Sequence, residues 1–277
     1  MLFLSVCLLA FSLNSPVGAV GAKYLRSGMS FELHLEPGFE PSHAAEIVIL
    51  DLFNSNPTIV RFLKAKGIVP ICFIPAGAVS VQDPDARSFG ADLLGQPLRW
   101  KPESRWLDIR RRVMTVPLLA RRMDLCKAKG FRGALLSEID HHSANIGFPV
   151  KPEDTKSYLR FLSYEAKRRN LFIGIDGASD LAGPLQSFFD FALVSDCLAD
   201  ETCARYDSYV EHGKPVVAVS RMTDGKNQAE FCRTVERHGF FGLIRPEGAV
   251  HPETDCDAIK LQEKSEGVQV VSSKESG

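Results

Sequence analysis

The stretch Glu46-Ile47-Val48-Ile49-Leu50-Asp51-Leu52-Phe53 decides the fold class. It is apolar and β-branched up to Asp51, with no polar alternation. A strand with one wet face alternates; a strand covered on both faces does not, and such strands belong to parallel sheets flanked by helices. The chain then continues as that reading requires. Residues 57–66 read as a helix with Asn56 as its cap and Gly67 as its stop. Residues 68–74 form the next buried strand. A long insertion covers 75–105, and a helix over 107–129 stops at Gly130.

The same alternation extends to both ends. A short strand at 31–35 precedes the opening stretch. Strands follow at 133–136, 171–175, 191–194, 215–219 and 241–244, and helices at 152–169, 182–189, 200–212 and 227–238 separate them. Strands that alternate with helices build a parallel sheet. Eight such units close into a barrel, so the expected fold is α/β, a single-domain (β/α)8 TIM barrel. The alternative, an open doubly wound sheet, lacks its glycine-rich phosphate loop after the first strand.

The chain ends carry different signals. Residues 2–11 are apolar and uncharged, and Val17-Gly18-Ala19 and Val20-Gly21-Ala22 both fit a signal-peptidase site. The run is shorter than the about 20 residues of a membrane span. We expect a secretory signal peptide at 1–22, the barrel at 23–260 and a disordered polar tail at 261–277, in a secreted protein. Loss of Cys7 with the signal leaves an even set: Cys72, Cys126, Cys197, Cys203, Cys232 and Cys256. Export permits disulfides. Cys197 and Cys203 are close enough in the chain to close a small loop; the other four can be bridged or remain buried thiols. A net charge of −1 argues against nucleic acid or an anionic membrane as partner.

Barrel enzymes place their chemistry where strands end and the following loops begin. The polar residues there are Asp51, the Pro75-Ala76-Gly77 turn, Ser137-Glu138-Ile139-Asp140-His141-His142, Asp176, Ser195-Asp196 and Ser220-Arg221. Any single aspartate among them can equally cap the next helix. The ring as a whole marks a site. Adjacent His141 and His142 lack a matched carboxylate spacing, so neither a metal nor a cofactor is expected. Trp100 and Trp106 can stack on sugar rings or fill the insertion's own core.

Several motifs together resemble a known family. They are Cys72-Phe73-Ile74-Pro75-Ala76-Gly77, Asp83-Pro84-Asp85-Ala86, Leu94-Gly95-Gln96-Pro97-Leu98 followed by Trp100, and Trp106-Leu107-Asp108-Ile109-Arg110. Lys129-Gly130-Phe131, Asn145-Ile146-Gly147-Phe148, Phe189-Asp190-Phe191-Ala192 and Gly213-Lys214-Pro215-Val216 continue the series in order. The pattern resembles glycoside hydrolase family 114, the endo-α-1,4-polygalactosaminidases, from about residue 31 to the eighth strand. The resemblance implies a (β/α)8 barrel that hydrolyses α-linked galactosamine polymers with carboxylates at strand ends.

The same resemblance exposes a departure. The family's fourth strand ends in EPDNVD, and its first aspartate falls here on Ser137, with Leu135 at the glutamate, Glu138 at the asparagine and Asp140 at the last aspartate. The sixth strand's NEQC places Ser195 at its glutamate. Two further family glutamates fall on Ser80 and Ser220. Glycoside hydrolysis needs two carboxyl groups about 5 to 9.5 Å apart. A serine hydroxyl is too weak an acid and too poor a base for either. Glu138 and Asp196 lie one residue beyond the lost acids, which on a regular strand is the opposite face. The leading expectation is therefore a barrel that binds α-linked galactosamine or galactose polysaccharide with lost or altered hydrolysis. Two alternatives are an active hydrolase with relocated acids at Glu138, Asp196 and Asp140, and a non-enzymatic secreted scaffold. Asp51, Asp108, Trp106, His142 and Asp176 are the expected glycan contacts.

Overall fold

A computed structural model describes residues 24–38, 45–221, 225–245 and 254–259. The signal peptide and polar tail expected at 1–22 and 261–277 lie outside the described residues. The first strands are β1 (Phe31–His34), β2 (Ile47–Asp51) and β3 (Val69–Pro75). Next come β4 (Ala78–Ser80), β5 (Leu94–Leu98) and β6 (Lys101–Leu107), which pair with one another as a small antiparallel sheet. Then follow β7 (Gly133–Ser137), β8 (Phe172–Asp176), β9 (Phe191–Ser195), β10 (Val216–Arg221), β11 (Phe241–Arg245) and β12 (Thr254–Asp255). The main sheet runs β1-β2-β3-β7-β8-β9-β10-β11-β12, parallel except for the last pair. The helices are α1 (Pro57–Ala65), α2 (Arg112–Lys129), α3 (Pro152–Arg168), α4 (Ala182–Leu185), α5 (Asp207–Glu211) and α6 (Gly225–His238).

The eight parallel strands curl into a barrel. Phe31 on β1 and Phe241 on β11 meet inside with ring centroids 6.1 Å apart. The inner apolar core draws on every parallel strand, including Ile47, Ile71, Leu135, Phe172, Leu193 and Val219. Their chain neighbours Val48, Cys72, Leu136, Ile173, Val194 and Ala218 face the helices in a second core. Alternation thus deals each strand to two apolar layers, which is why these segments read as continuous apolar runs. Gly174 faces inward on β8 because a Cβ there would stand 2.2 Å from the Phe191 ring.

Some boundaries differ from expectation. The insertion is ordered: Ala78, Leu98, Trp106 and Ile146 form its own small core. The helix expected at 107–129 begins at Arg112, because Leu107 ends β6 and Asp108 binds the Arg110 guanidinium at 2.8 Å from both oxygens. The helix expected at 200–212 shrinks to a 3-10 turn (Cys203–Tyr206) and α5, since a Cys197–Cys203 disulfide ties its start into a loop. The helix expected at 182–189 becomes α4 and a 3-10 turn, Gln186–Phe188. The remaining cysteines are bridged: Cys72–Cys126 joins β3 to α2, and Cys232–Cys256 ties α6 to the end of the chain described.

Arg122 of α2 fastens the insertion to the barrel. It is fully buried, and its Nε and Nη2 donate to the two Asp85 oxygens at 2.8 Å each. Nη2 also reaches Asp83 at 2.9 Å, and Nη1 reaches the Pro75 carbonyl at 2.9 Å. The Phe53 and Phe89 rings lie 5.2 and 5.1 Å from the guanidinium. Removing one member of a buried ion cluster strands the others, at a cost of about 3–5 kcal/mol. Arg122→Met is expected to destabilise by that amount in denaturant unfolding. A loss below about 1 kcal/mol would show that water replaces the guanidinium.

Candidate functional site

Alternation along β7 points Leu135 inward and then Ser137, which is buried at the strand end with its hydroxyl donating to the Ile74 carbonyl at 3.5 Å. The next residue, Glu138, should then face the helices. It does not, because its backbone is left-handed, with φ +57°. The side chain returns to the mouth. The turn rests on Gly77: a Cβ there would lie 1.8 Å from the Glu138 carbonyl oxygen and 2.1 Å from His141 Cε1. Buried His141 donates from Nε2 to the Gly77 carbonyl at 3.0 Å. Its ring packs against Trp106 and Tyr158, with centroids 5.1 and 6.5 Å away. Tyr158 donates to the Ala76 carbonyl at 2.7 Å. Burial pulls the His141 pKa down to about 4, so the ring is a neutral plug beneath the loop.

β9 repeats the device. Leu193 faces inward, Ser195 follows at the mouth, and Asp196 is left-handed with φ +50°. The Asp196 Oδ1 accepts from the Ser220 hydroxyl at 3.3 Å and the Arg221 amide at 3.1 Å. Its Oδ2 lies 3.7 Å from Arg221 Nη2. A non-glycine residue in this region costs about 1–3 kcal/mol and persists only where its surroundings hold it.

Two adjoining cavities open here. One, of about 370 Å³, is lined by Trp100, Glu138, Asp140, Asp176, Asp200 and Tyr206, among others. The other, of about 240 Å³, has Glu138, Asp176, Ser195, Asp196, Arg221 and Arg245 on its wall. Glu138, Asp176 and Ser195 belong to both. Burial raises the Glu138 pKa to about 6; a hydrogen bond with the Trp100 side chain and the Lys101 charge oppose the rise, and the Asp140 charge adds to it. Burial also lifts Asp140, against a 2.6 Å hydrogen bond from the Ala178 amide. Asp176 is lifted well above the usual carboxylate range by burial, then by the charges of Asp140 and Glu138. Carboxyl groups in such surroundings keep protons that exposed ones lose.

The other expected contacts sit elsewhere. Asp51 ends β2 and accepts from the Phe53 and Asn54 amides at 2.8 and 2.7 Å; it lines a separate pocket with His34 and Glu36. Asp108 is clamped to Arg110: burial pushes its pKa up, but that hydrogen bond and charge outweigh burial and hold it low. Trp106 is buried beneath the mouth. His142 bridges Thr155 Oγ1 at 3.3 Å and Asp180 at 2.7 Å. None of these four lines either mouth cavity. Among the described residues, no group of three His, Cys, Asp or Glu side chains could hold a metal. Sequence reading missed Asp200, Tyr206 and Arg245. Arg245 was within reach, as the first polar residue after the eighth strand.

The description glycoside-hydrolase family GH114 matches residues 15–260. The chain belongs to this family. Among solved structures, Aspergillus fumigatus Ega3 in complex with galactosamine superposes with a TM-score of 0.79 at 22% identity, over 83% of this chain and 96% of Ega3. The glycoside hydrolase domain of PelA from Pseudomonas aeruginosa gives 0.61 at 15% identity, over 81% and 97%. The Thermus thermophilus α-galactosidase TtGalA, solved with p-nitrophenyl α-D-galactopyranoside, gives 0.51 at 14% identity, over 72% and 51%. At these identities the likeness is one of fold. A search of curated proteins gives no match. Within the GH114 fold, then, this chain carries a left-handed acid directly after each of two serines, Ser137, which is buried, and Ser195, which lines both cavities.

The Glu138 shift has a measurable consequence. Its folded-state pKa of about 6 lies above the ordinary 4.5. Below about pH 4 both folded and unfolded chains hold the proton, and stability is unaffected. Between the two values only the folded chain holds it, so stability falls as pH rises; above the folded value the penalty levels off at about 2 kcal/mol. Glu138→Gln cannot ionise. It is expected to gain up to about 2 kcal/mol over the parent between about pH 4 and pH 8, by denaturant unfolding. An unchanged difference across that range would mean that water reaches the carboxylate freely.

Proposed function

We propose that this protein is a secreted GH114 barrel that hydrolyses α-linked galactosamine or galactose polysaccharide with an acid pair moved one residue along two strands. The observation that carries the reading is the left-handed backbone at both Glu138 and Asp196, which returns each side chain to the mouth that alternation would deny it. Glu138, proton-bearing up to about pH 6, is the general acid that protonates the glycosidic oxygen. Asp196, beside Arg221, is the carboxylate that acts on the anomeric carbon or on its water. Asp140 anchors the β8 turn through the Ala178 amide and adds charge behind Glu138. Ser195 is suited to hydrogen bonds with sugar hydroxyls, and the exposed Trp100 indole to stacking on a ring face. Disulfides and the apolar N-terminal run support export. The galactosamine bound in Ega3 and the α-galactoside bound in TtGalA motivate the choice of sugar.

A second reading has its own support. Ser137 and Ser195 hold the inward-facing strand ends, and Asp196 Oδ1 already has two donors. A barrel so built can bind the same glycans without cleaving them. Incubation of the secreted form with de-N-acetylated galactosaminogalactan and with simple α-galactosides, read as reducing ends released, separates the two. We expect release by the parent and a drop of about 100-fold or more in Glu138→Gln and in Asp196→Asn. No release by the parent above background would reject the hydrolase reading in favour of the binding one. Release that both variants keep would move the acid pair elsewhere.

A further inference from the structure

The proposed hydrolysis leaves one deep-set carboxyl without a task. Asp176 ends β8 between the two cavities and lines both. Its counterparts at this end of the barrel are engaged by the protein: Asp51 by two amides, Asp140 by the Ala178 amide, and Asp196 by Ser220 and Arg221. Asp176 accepts no hydrogen bond and forms no ion pair among the described residues. From the end of β7, Glu138 and Asp140 oppose its ionisation with their own charges. In the turn that follows it, Asp180 is taken by His142. The Tyr206 hydroxyl donates to the Gly177 carbonyl at 3.3 Å, and Arg205 beside it donates to Ser179. Lys101 acts on Glu138, and Arg221 and Arg245 line only the smaller cavity. Asp200 completes the wall of the larger cavity, whose lining holds no Lys, Arg or His.

A carboxyl with neither donor nor cation, set beside two others, stays neutral because its charge would be uncompensated. It ionises when a cation arrives. A metal is a poor candidate, since no group of three His, Cys, Asp or Glu side chains among the described residues could hold one. An ammonium carried on a sugar suits the space better. It brings three donors to Asp176, and the ring meets Ser195, Thr202 and Trp100 in the same 370 Å³. We propose that Asp176 seats the ammonium of an amino sugar in the larger cavity and gives up its own proton to water as the sugar binds. This rests on the reading of the mouth as a sugar cleft, and it names the amine as the group the cleft selects. The exchange balances. The Asp176 O–H bond breaks, its electron pair stays on the carboxylate, the ammonium keeps its three hydrogens, and one proton leaves as one positive charge enters. Glu138 keeps its proton for the glycosidic oxygen, because the new Asp176 charge offsets the ammonium beside it. A neutral sugar meets a protonated Asp176 and displaces no proton.

Calorimetric titration of the full-length secreted protein with galactosamine and with galactose, in buffers of different ionisation enthalpy, counts the protons exchanged. The free monosaccharides offer no glycosidic bond to cleave. At about pH 6, galactosamine is expected to release between about half a proton and one proton per site, and galactose none. By linkage, the preference for galactosamine over galactose then grows about threefold to tenfold per unit rise in pH between about pH 5 and pH 6.5. Asp176→Asn should abolish the release and flatten that dependence, whereas Glu138→Gln should keep both. Galactosamine binding without proton release would overturn the exchange and leave the cleft reading intact. A release that survives in Asp176→Asn, or vanishes in Glu138→Gln, would do the same by assigning the proton to another group. Should Asp176→Asn fail to fold, the parent and Glu138→Gln decide the matter. If neither sugar binds, the cleft reading fails, and this inference with it.

Discussion

A strand inside a closed barrel can offer the mouth only every second residue. That constraint governs this protein's chemistry more than any single contact. β7 and β9 present serines at their last inward positions, and the nearest acids sit one residue too far. On a strand that continued, those acids would enter the layer between sheet and helices, among Leu136 and Val194. A buried, unpaired carboxylate there would cost several kcal/mol. Ending the strand with a left-handed residue is the local way out. Both strands take it, and Glu138 and Asp196 line the mouth at the expense of backbone strain.

Strain of that kind needs support, and the two turns are supported differently. The Glu138 turn stands on a stack: the Gly77 backbone, the neutral His141 ring, and Trp106 and Tyr158 on either side. These residues come from β6, α3 and the β3–β4 turn, so the loop is tied to three other parts of the fold. The Asp196 turn stands on hydrogen bonds from β10 and on the adjacent Cys197–Cys203 bridge. The insertion matters to the first turn because it brings Trp106 beneath the mouth and Trp100 to its rim. Arg122 in turn holds the insertion's Asp83 and Asp85 against α2 and the end of β3. Packing far from the mouth thereby fixes the direction in which Glu138 points.

Much of the barrel was legible in the residue order, and the reason is physical. Strands covered on both faces must be apolar throughout, so 46–53 or 191–194 read as strands without any structure. The carboxylates at strand ends were also legible as a ring, and Glu138, Asp140, Asp176 and Asp196 do line the mouth cavities. What stayed hidden was conformation at single residues. No glycine or asparagine marks 138 or 196 as left-handed, and glutamate is an unusual residue for that region. Local partners were hidden as well. Asp51 ends a barrel strand as Asp176 does, and Asp108 and His142 lie in loops, but nearby amides, Arg110 and Asp180 engage the three before a ligand could. The small sheet of the insertion was missed because Gly95, Pro97 and Pro102 interrupt the runs that announce a strand.

The electrostatics of the mouth bear on which acid could do what. Glycoside hydrolysis asks one carboxyl group to hold a proton and another to release it, in the same small space. Desolvation alone would raise both. Here the environments diverge across a few residues. Glu138, Asp140 and Asp176 are buried near one another, so each charge that forms makes the next harder to form, and the group retains protons as a set. Asp196 stands apart from them, with Arg221 Nη2 3.7 Å from one oxygen and two donors on the other. Arg221 and Arg245 line the smaller cavity together with Glu138, Asp176 and Asp196, so cations and carboxyl groups share one wall, and a substrate seated there meets both at once.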